Sequence, residues 1–171
     1  MTKANLILVG FMGTGKSATG RRLAARLHRE FVDMDAAIEA REGRAISDIF
    51  TQDGEPAFRR LERALVRELS AREDLVIAAG GGVVLDPENI RDFERTGVVV
   101  CLTAQPEELL RRLSGARHRP LLEQGDKEQR LRLLLEQRRP LYDAIAHQVD
   151  TTRLAPDEVA RRVLEIFSTS S

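Results

Sequence analysis

The chain has 171 residues, one domain's worth, and enough to bury a core without disulfide or metal staples. Its 27 basic and 27 acidic residues balance, which argues against bulk attraction to nucleic acid or a membrane surface, and no apolar stretch approaches a membrane span. One cysteine, Cys101, in an apolar run, and three histidines (His28, His118, His147) far apart in sequence leave no disulfide framework or zinc cluster; the expectation is a cytoplasmic, monomeric, single-domain protein.

Leu6-Ile7-Leu8-Val9 is a continuous apolar run of the length of a buried strand, too short for a signal sequence. It leads directly into Gly10-Phe11-Met12-Gly13-Thr14-Gly15-Lys16-Ser17, which fits G-x-x-x-x-G-K-[ST]. Beyond it Leu23 and Leu27, with the small Ala24 and Ala25, recur at helical spacing, with Arg21, Arg22 and Arg26 on the other face. Strand, glycine loop and helix together are the context of a phosphate-binding loop. Its glycines let consecutive N–H groups point inward at a polyphosphate, beside the positive end of the helix dipole. Lys16 is then the residue that reaches the β- and γ-phosphates, and Ser17 offers its hydroxyl to Mg²⁺. This predicts a nucleoside triphosphate and leaves the reaction open.

Glu30 to Asp35 reads as a short strand ending in two carboxylates. If extended geometry persists, Asp33 and Asp35 project to the same side, at the end of the sheet where ligands bind. There they can hold Mg²⁺ through water and hydrogen-bond a hydroxyl; Asp35 can instead cap the helix Ala36–Glu42. Gly43 ends that helix, Ser47 is the candidate cap of a short one through Ile49 and Phe50, and Asp53-Gly54 marks a turn. Glu55-Pro56 opens a longer amphipathic helix with Leu61, Leu65 and Leu69 inward. Arg59 lies near its start, where the dipole disfavours a cation; it is either a solvated surface arginine or one with an anionic partner.

The apolar run Leu75–Ala79 ends in Gly80-Gly81-Gly82, more glycine than a turn demands, leaving N–H groups unobstructed for a close ligand. Asp86-Pro87-Glu88 has the signature of a helix start, Val98–Leu102 is the fourth buried strand, and Thr103 and Pro106 open another helix. From Arg111 the pattern breaks into a basic, proline-containing stretch around Arg117-His118-Arg119-Pro120, either a lid over phosphates or an ordinary connection. Leu131, Leu134 and Leu135 mark a helix ending at Arg138–Tyr142. His147–Thr151 is a last short strand, and Pro156 starts a terminal helix with Val159, Val163 and Ile166 inward and a frayed tail from Ser168. Five strands alternating with helices predict a three-layer α/β domain with a parallel sheet and right-handed crossovers; periodicity does not reveal the strand order.

Taken together, Gly10-x-Met12-Gly13-x-Gly15-Lys16-Ser17, Asp33-x-Asp35-x-x-Ile38-Glu39, Gly54-Glu55-x-x-Phe58-Arg59-x-x-Glu62, Gly80-Gly81-Gly82, Arg119-Pro120-Leu121 and Arg138-x-Pro140-x-Tyr142 resemble the shikimate kinase family, from Asn5 to Pro156. The resemblance implies a P-loop NTPase fold like that of nucleoside monophosphate kinases, with a five-stranded parallel sheet of order 2-3-1-4-5. It also implies transfer of the γ-phosphoryl of ATP, with Mg²⁺, to the 3-hydroxyl of shikimate. By residue match, Gly13, Thr14, Gly15, Lys16, Ser17 and Ala18 hold the phosphates, and Arg112, Arg153 and Pro156 flank the adenine. Asp35 binds the substrate hydroxyls and orients or deprotonates one. Arg59 and Arg138, with Gly80, Gly81 and Gly82, grip the substrate carboxylate, and Ser17 and Asp33 (through water) serve the metal. Arg119 is the lid arginine, in a lid loop of about 114–124; the substrate-binding segment spans about 34–62. Two positions depart from the family pattern: Ala18 and Ala79 stand where relatives often carry a hydroxyl.

Overall fold

Alternation along β1 (Asn5–Val9) divides the core into two layers. Leu6 and Leu8 face one side of the sheet, against Leu23 of helix α1 (Lys16–Leu27) and Val159, Val163 and Phe167 of the terminal helix α8 (Pro156–Ser170). Ile7 and Val9 face the other, against Met34, Phe58, Leu65 and Phe93 from the intervening helices. A strand buried on both faces reads as an unbroken apolar run, which is why no alternation shows in its letters. The computed structural model describes residues 3–114 and 126–171.

The sheet is wholly parallel, with order β2-β3-β1-β4-β5, as the resemblance implies: β2 is Glu30–Asp33, β3 Leu75–Ala78, β4 Gly97–Thr103 and β5 His147–Asp150. Ile7 pairs with Ile77 on one side and Val99 on the other, and Asp33 is level with Ala78 at the carboxyl ends of β2 and β3. Asn5 splices β1 to the start of β3: its side chain is fully buried, accepts from Leu75 N at 2.9 Å and donates to Arg72 O at 2.8 Å.

The remaining helices are α2 (Met34–Glu42), α3 (Ile46–Asp53), α4 (Glu55–Ser70), α5 (Pro87–Thr96), α6 (Pro106–Leu113) and α7 (Lys127–Asp143), with a 3-10 turn at Val83–Leu85. Gly43 ends α2 in the left-handed region, and Asp86 caps α5 by accepting from Glu88 N, both as expected. Several boundaries differ from expectation. Strand β2 stops at Asp33 because Met34, fully buried, docks as the first residue of a helix. Ser47 lies inside α3, whose start at Ala45 has no side-chain cap; the Glu39 carboxylate instead accepts from Ile46 N. Thr103 belongs to β4, and α6 runs past Arg111 to Leu113, which is buried.

Helix α7 continues through Pro140, which is exposed and forgoes only one bond near the helix end, while the buried Arg138 and Tyr142 on the opposite face hold the last turn in place. The tail does not fray at Ser168: Phe167 is buried, and α8 extends to Ser170. Ile166 is only partly buried. The proposed lid, apart from Ser114, and with it Arg119, falls outside the described residues.

Asn5→Ala leaves the buried Leu75 N–H and the Arg72 carbonyl without their side-chain partner. We expect a loss of about 2–4 kcal/mol in unfolding free energy, measured by urea denaturation.

Candidate active site

Every predicted site element in the described chain lies at the carboxyl ends of the strands. The phosphate loop joins β1 to α1. Gly15, at φ 91°, takes the left-handed position before the helix, and a Cβ on Gly10 would lie 2.3 Å from the Leu102 carbonyl. Thr14, buried, donates to Phe11 O at 2.8 Å and so braces the loop from inside. The Lys16 ammonium bends back over the loop, donating to Gly10 O at 2.7 Å and Phe11 O at 3.0 Å. Ser17 Oγ donates to Asp33 Oδ2 at 2.5 Å, and Ala18 is exposed at the first turn.

The helix cap between the two acids is Asp33, not Asp35: its Oδ1 accepts from Ala36 N. The chain turns helical immediately after Asp33, so strand alternation does not align the two carboxylates. They nevertheless line one cleft, Asp33 on the Ser17 side and Asp35 further along, next to Gly80.

The three glycines are needed for room rather than for unusual dihedral angles, since none of them has positive φ. A Cβ on Gly80 would lie 2.9 Å from both Asp35 Oδ1 and Glu62 Oε2, and one on Gly82 would lie 2.3–2.6 Å from the Arg59 guanidinium. A Cβ on Gly81 would meet Met12 N at 3.5 Å and Arg138 Nη1 at 3.8 Å. Arg59 has anionic partners in its own helix: it donates to Glu55 Oε2 at 3.1 and 3.2 Å and to Glu62 Oε1 at 3.1 Å. Arg138 is 4% exposed, sits over the Phe11 ring at 5.9 Å, and enters none of the ion pairs among the described residues.

Two further residues of this wall stand in the sequence motifs but carried no assigned role. Glu62, 2% exposed, follows Arg59 by three residues and shares its face of α4. Burial pushes its carboxyl above the ordinary value of 4.5, Arg59 opposes that rise, and the charge of Asp35 adds to it. Tyr142 follows Arg138 by four residues and donates to Gly81 O at 2.5 Å. The i,i+3 and i,i+4 spacings were the available signals; the contacts themselves are tertiary.

On the nucleotide side, Arg112 joins the phosphate loop to the connection after β5. It donates to Gly13 O (3.1 Å), Thr151 Oγ1 (3.0 Å), Thr151 O (2.9 Å) and Glu108 Oε1 (3.0 Å). Arg153 and Pro156 lie exposed on or just beyond that connection, and neither lines the cleft. The cleft, of about 620 Å³, runs from Lys16 and Ser17 past Asp35 to Arg59 and Arg138, and is closed on one side by Ile46, Phe50 and Phe58. Among the described residues no group of three His, Cys, Asp or Glu side chains could hold a metal by itself.

A phosphate loop, an acid beside it and two arginines in one cleft of this sheet define a P-loop kinase. A family model described as shikimate kinase matches residues 12–168. The shikimate kinase of Pelotomaculum thermopropionicum is 47% identical over 163 residues, 95% of each chain. The solved shikimate kinase from Acinetobacter baumannii in complex with shikimate superposes with a TM-score of 0.94 at 38% identity, covering 99% of this chain and 96% of that one. A gluconokinase from Sinorhizobium meliloti, at 20% identity and a TM-score of 0.63 over 98% and 93% of the two chains, shares the fold alone. The chain belongs to the shikimate kinase family.

Glu62 makes a signed pH test. A carboxyl whose pKa is raised by folding favours the folded state below the unfolded value, and that contribution is lost as pH rises through the raised one. Glu62→Gln removes this loss, so its melting temperature relative to the parent protein should improve as pH rises from the unfolded value to the raised one and then level off. A deficit that widens with pH in thermal melts would contradict the burial-driven shift.

Proposed function

We infer that this chain phosphorylates the 3-hydroxyl of shikimate with ATP, giving shikimate 3-phosphate and ADP, a step of aromatic amino acid biosynthesis. The observation that carries this reading is the meeting of Lys16, Asp35, Arg59 and Arg138 in one cleft. Two planar guanidinium forks suit a carboxylate, which each can bind bidentately. The apolar side formed by Ile46, Phe50 and Phe58 suits the carbon face of a ring. Asp35, half-buried in the same cleft between Lys16 and the arginines, is the acceptor for the substrate hydroxyl.

In the reaction the hydroxyl gives its proton to Asp35 as its oxygen bonds the γ-phosphorus, and the bond from that phosphorus to the bridging oxygen breaks, releasing ADP. Phosphoryl transfer needs positioning and charge neutralisation more than covalent help. Lys16 lies where it can leave its two loop carbonyls for phosphate oxygens. Gly13 to Ala18 cradle the phosphates, Arg112, Arg153 and Pro156 flank the adenine, and Gly80–Gly82 complete the carboxylate site. Arg119 is assigned to the phosphates by residue match, as part of a lid. Since the groups named come from one chain, we take the monomer, in the cytoplasm, as the working unit.

Mg²⁺ neutralises phosphate charge when bound. The residues fit it: Ser17 Oγ and Asp33 Oδ2 are hard oxygen donors 2.5 Å apart beside the phosphate loop. Phosphate and water would supply the other ligands. Ser17 would contact the ion directly and Asp33 through water.

A coupled ADP-release assay across shikimate, quinate, gluconate and nucleoside monophosphates tests the assignment: rapid turnover belongs to shikimate with Mg²⁺, and equal turnover of gluconate or a nucleotide overturns it. Asp35→Asn keeps the size of the side chain and removes its basicity, so turnover should fall much more than ATP affinity. Arg138→Ala and Arg59→Ala should each weaken shikimate binding by about 2–5 kcal/mol with ATP affinity nearly unchanged; equal losses for both substrates would indicate a general structural defect.

A further inference from the structure

We propose that Tyr142 is a positioning residue for the substrate carboxylate: its hydroxyl, locked on the Gly81 carbonyl, holds Arg138 and the glycine turn at one fixed separation. The proposal rests on the shikimate reading above and deepens it.

Tyr142 follows Arg138 by one turn of α7, and both are 4% exposed although Arg139 and Pro140 between them are exposed. Its Oη donates to Gly81 O at 2.5 Å, at the short end for a hydroxyl donor. The residue it holds is the one at which a Cβ would meet Arg138 Nη1 at 3.8 Å and, in the phosphate loop, Met12 N at 3.5 Å. The ring is held as well: Tyr142 meets Phe11 edge-on, with centroids 6.4 Å apart, and Arg138 lies over that same Phe11. Arg138, Tyr142, Gly81 and Phe11 thus form one closed set of contacts between the substrate side and the phosphate loop.

The turn needs such an anchor. Gly80, Gly81 and Gly82 have no side chains to pack, and glycine backbone is the loosest available. Val83 N donates to Gly80 O to close the turn, and the buried Asn89 Nδ2 holds Val83 O beyond it. Between these two, Gly81 is held by Tyr142. A carbonyl only accepts, so the phenol must keep its proton. Burial pushes it up to about 12, with the neighbouring Arg138 working against that rise, so it remains a donor throughout the working pH range.

Tyr142→Phe tests the role, because it keeps the ring and the Phe11 contact and removes only the hydroxyl. We expect the calorimetric Kd and the KM for shikimate to rise about 5- to 20-fold, with KM for ATP unchanged within about twofold. The melting temperature should fall by no more than about 2–4 °C. Adding Tyr142→Phe to Arg138→Ala should cost little further shikimate affinity, since the separation being held no longer matters. A merely structural tyrosine predicts the opposite pattern: additive losses, or both KM values moving together. An unchanged shikimate KM in Tyr142→Phe, with the parent enzyme active on shikimate, overturns the proposal alone. A parent enzyme inactive on shikimate overturns the functional reading, and this inference with it.

Discussion

Asp35, Glu62, Arg59 and Arg138 converge on a stretch of backbone that carries no side chains of its own, and the rest of the site depends on that steric fact. A single methyl group at Gly80 or Gly82 would sit within 3 Å of a carboxylate or a guanidinium, where no relaxed contact exists. The sheet order gives this turn its place. Strand β3 runs between β2, which ends in Asp33, and β1, which leads into the phosphate loop, so the glycines emerge between the acid pair and that loop.

Charge burial on this scale is costly, and the wall meets it in two different ways. Arg59 is pre-paired with Glu55 and Glu62, whose carboxylates fix its fork before any ligand arrives. Arg138 relies on the face of Phe11 and on the phenol of Tyr142, both weaker partners for a cation that is nearly fully buried. On the proposed reading, a ligand carboxylate would replace weaker contacts at Arg138 than at Arg59. Glu62 shows the other side of the same crowding: held beside Asp35 with little water, it is driven toward its protonated form, and Arg59 draws it back.

Contiguous chemistry was legible in the letters, and through-space chemistry was not. The phosphate loop reads directly because its strand, glycines and lysine follow one another, and the two-sided burial of β1, β3 and β4 shows as plain apolar runs. The switch of cap from Asp35 to Asp33 depends on where Met34 docks, a tertiary event that no local spacing encodes. Pro140 looks like a helix stop, but packing of Arg138 and Tyr142 overrides it. The bond from Arg112 to Gly13 links residues 99 apart, and the spacing Arg138-x-x-x-Tyr142 marks a shared helix face without revealing the glycine it grips. Family resemblance supplied the sheet order and the arginine pairing, which periodicity could not.

The central claim is that one wall of the cleft recognises a carboxylate held by Arg59 and Arg138 while Asp35 faces the hydroxyl. The most direct measurement is titration calorimetry of shikimate against its methyl ester, on the parent protein and on the Arg59→Ala, Arg138→Ala double variant. The ester keeps the ring and every hydroxyl and loses only the negative charge. The account predicts that the parent protein binds the acid much more tightly than the ester and that the double variant no longer distinguishes them. Equal affinity for acid and ester in the parent protein would contradict it.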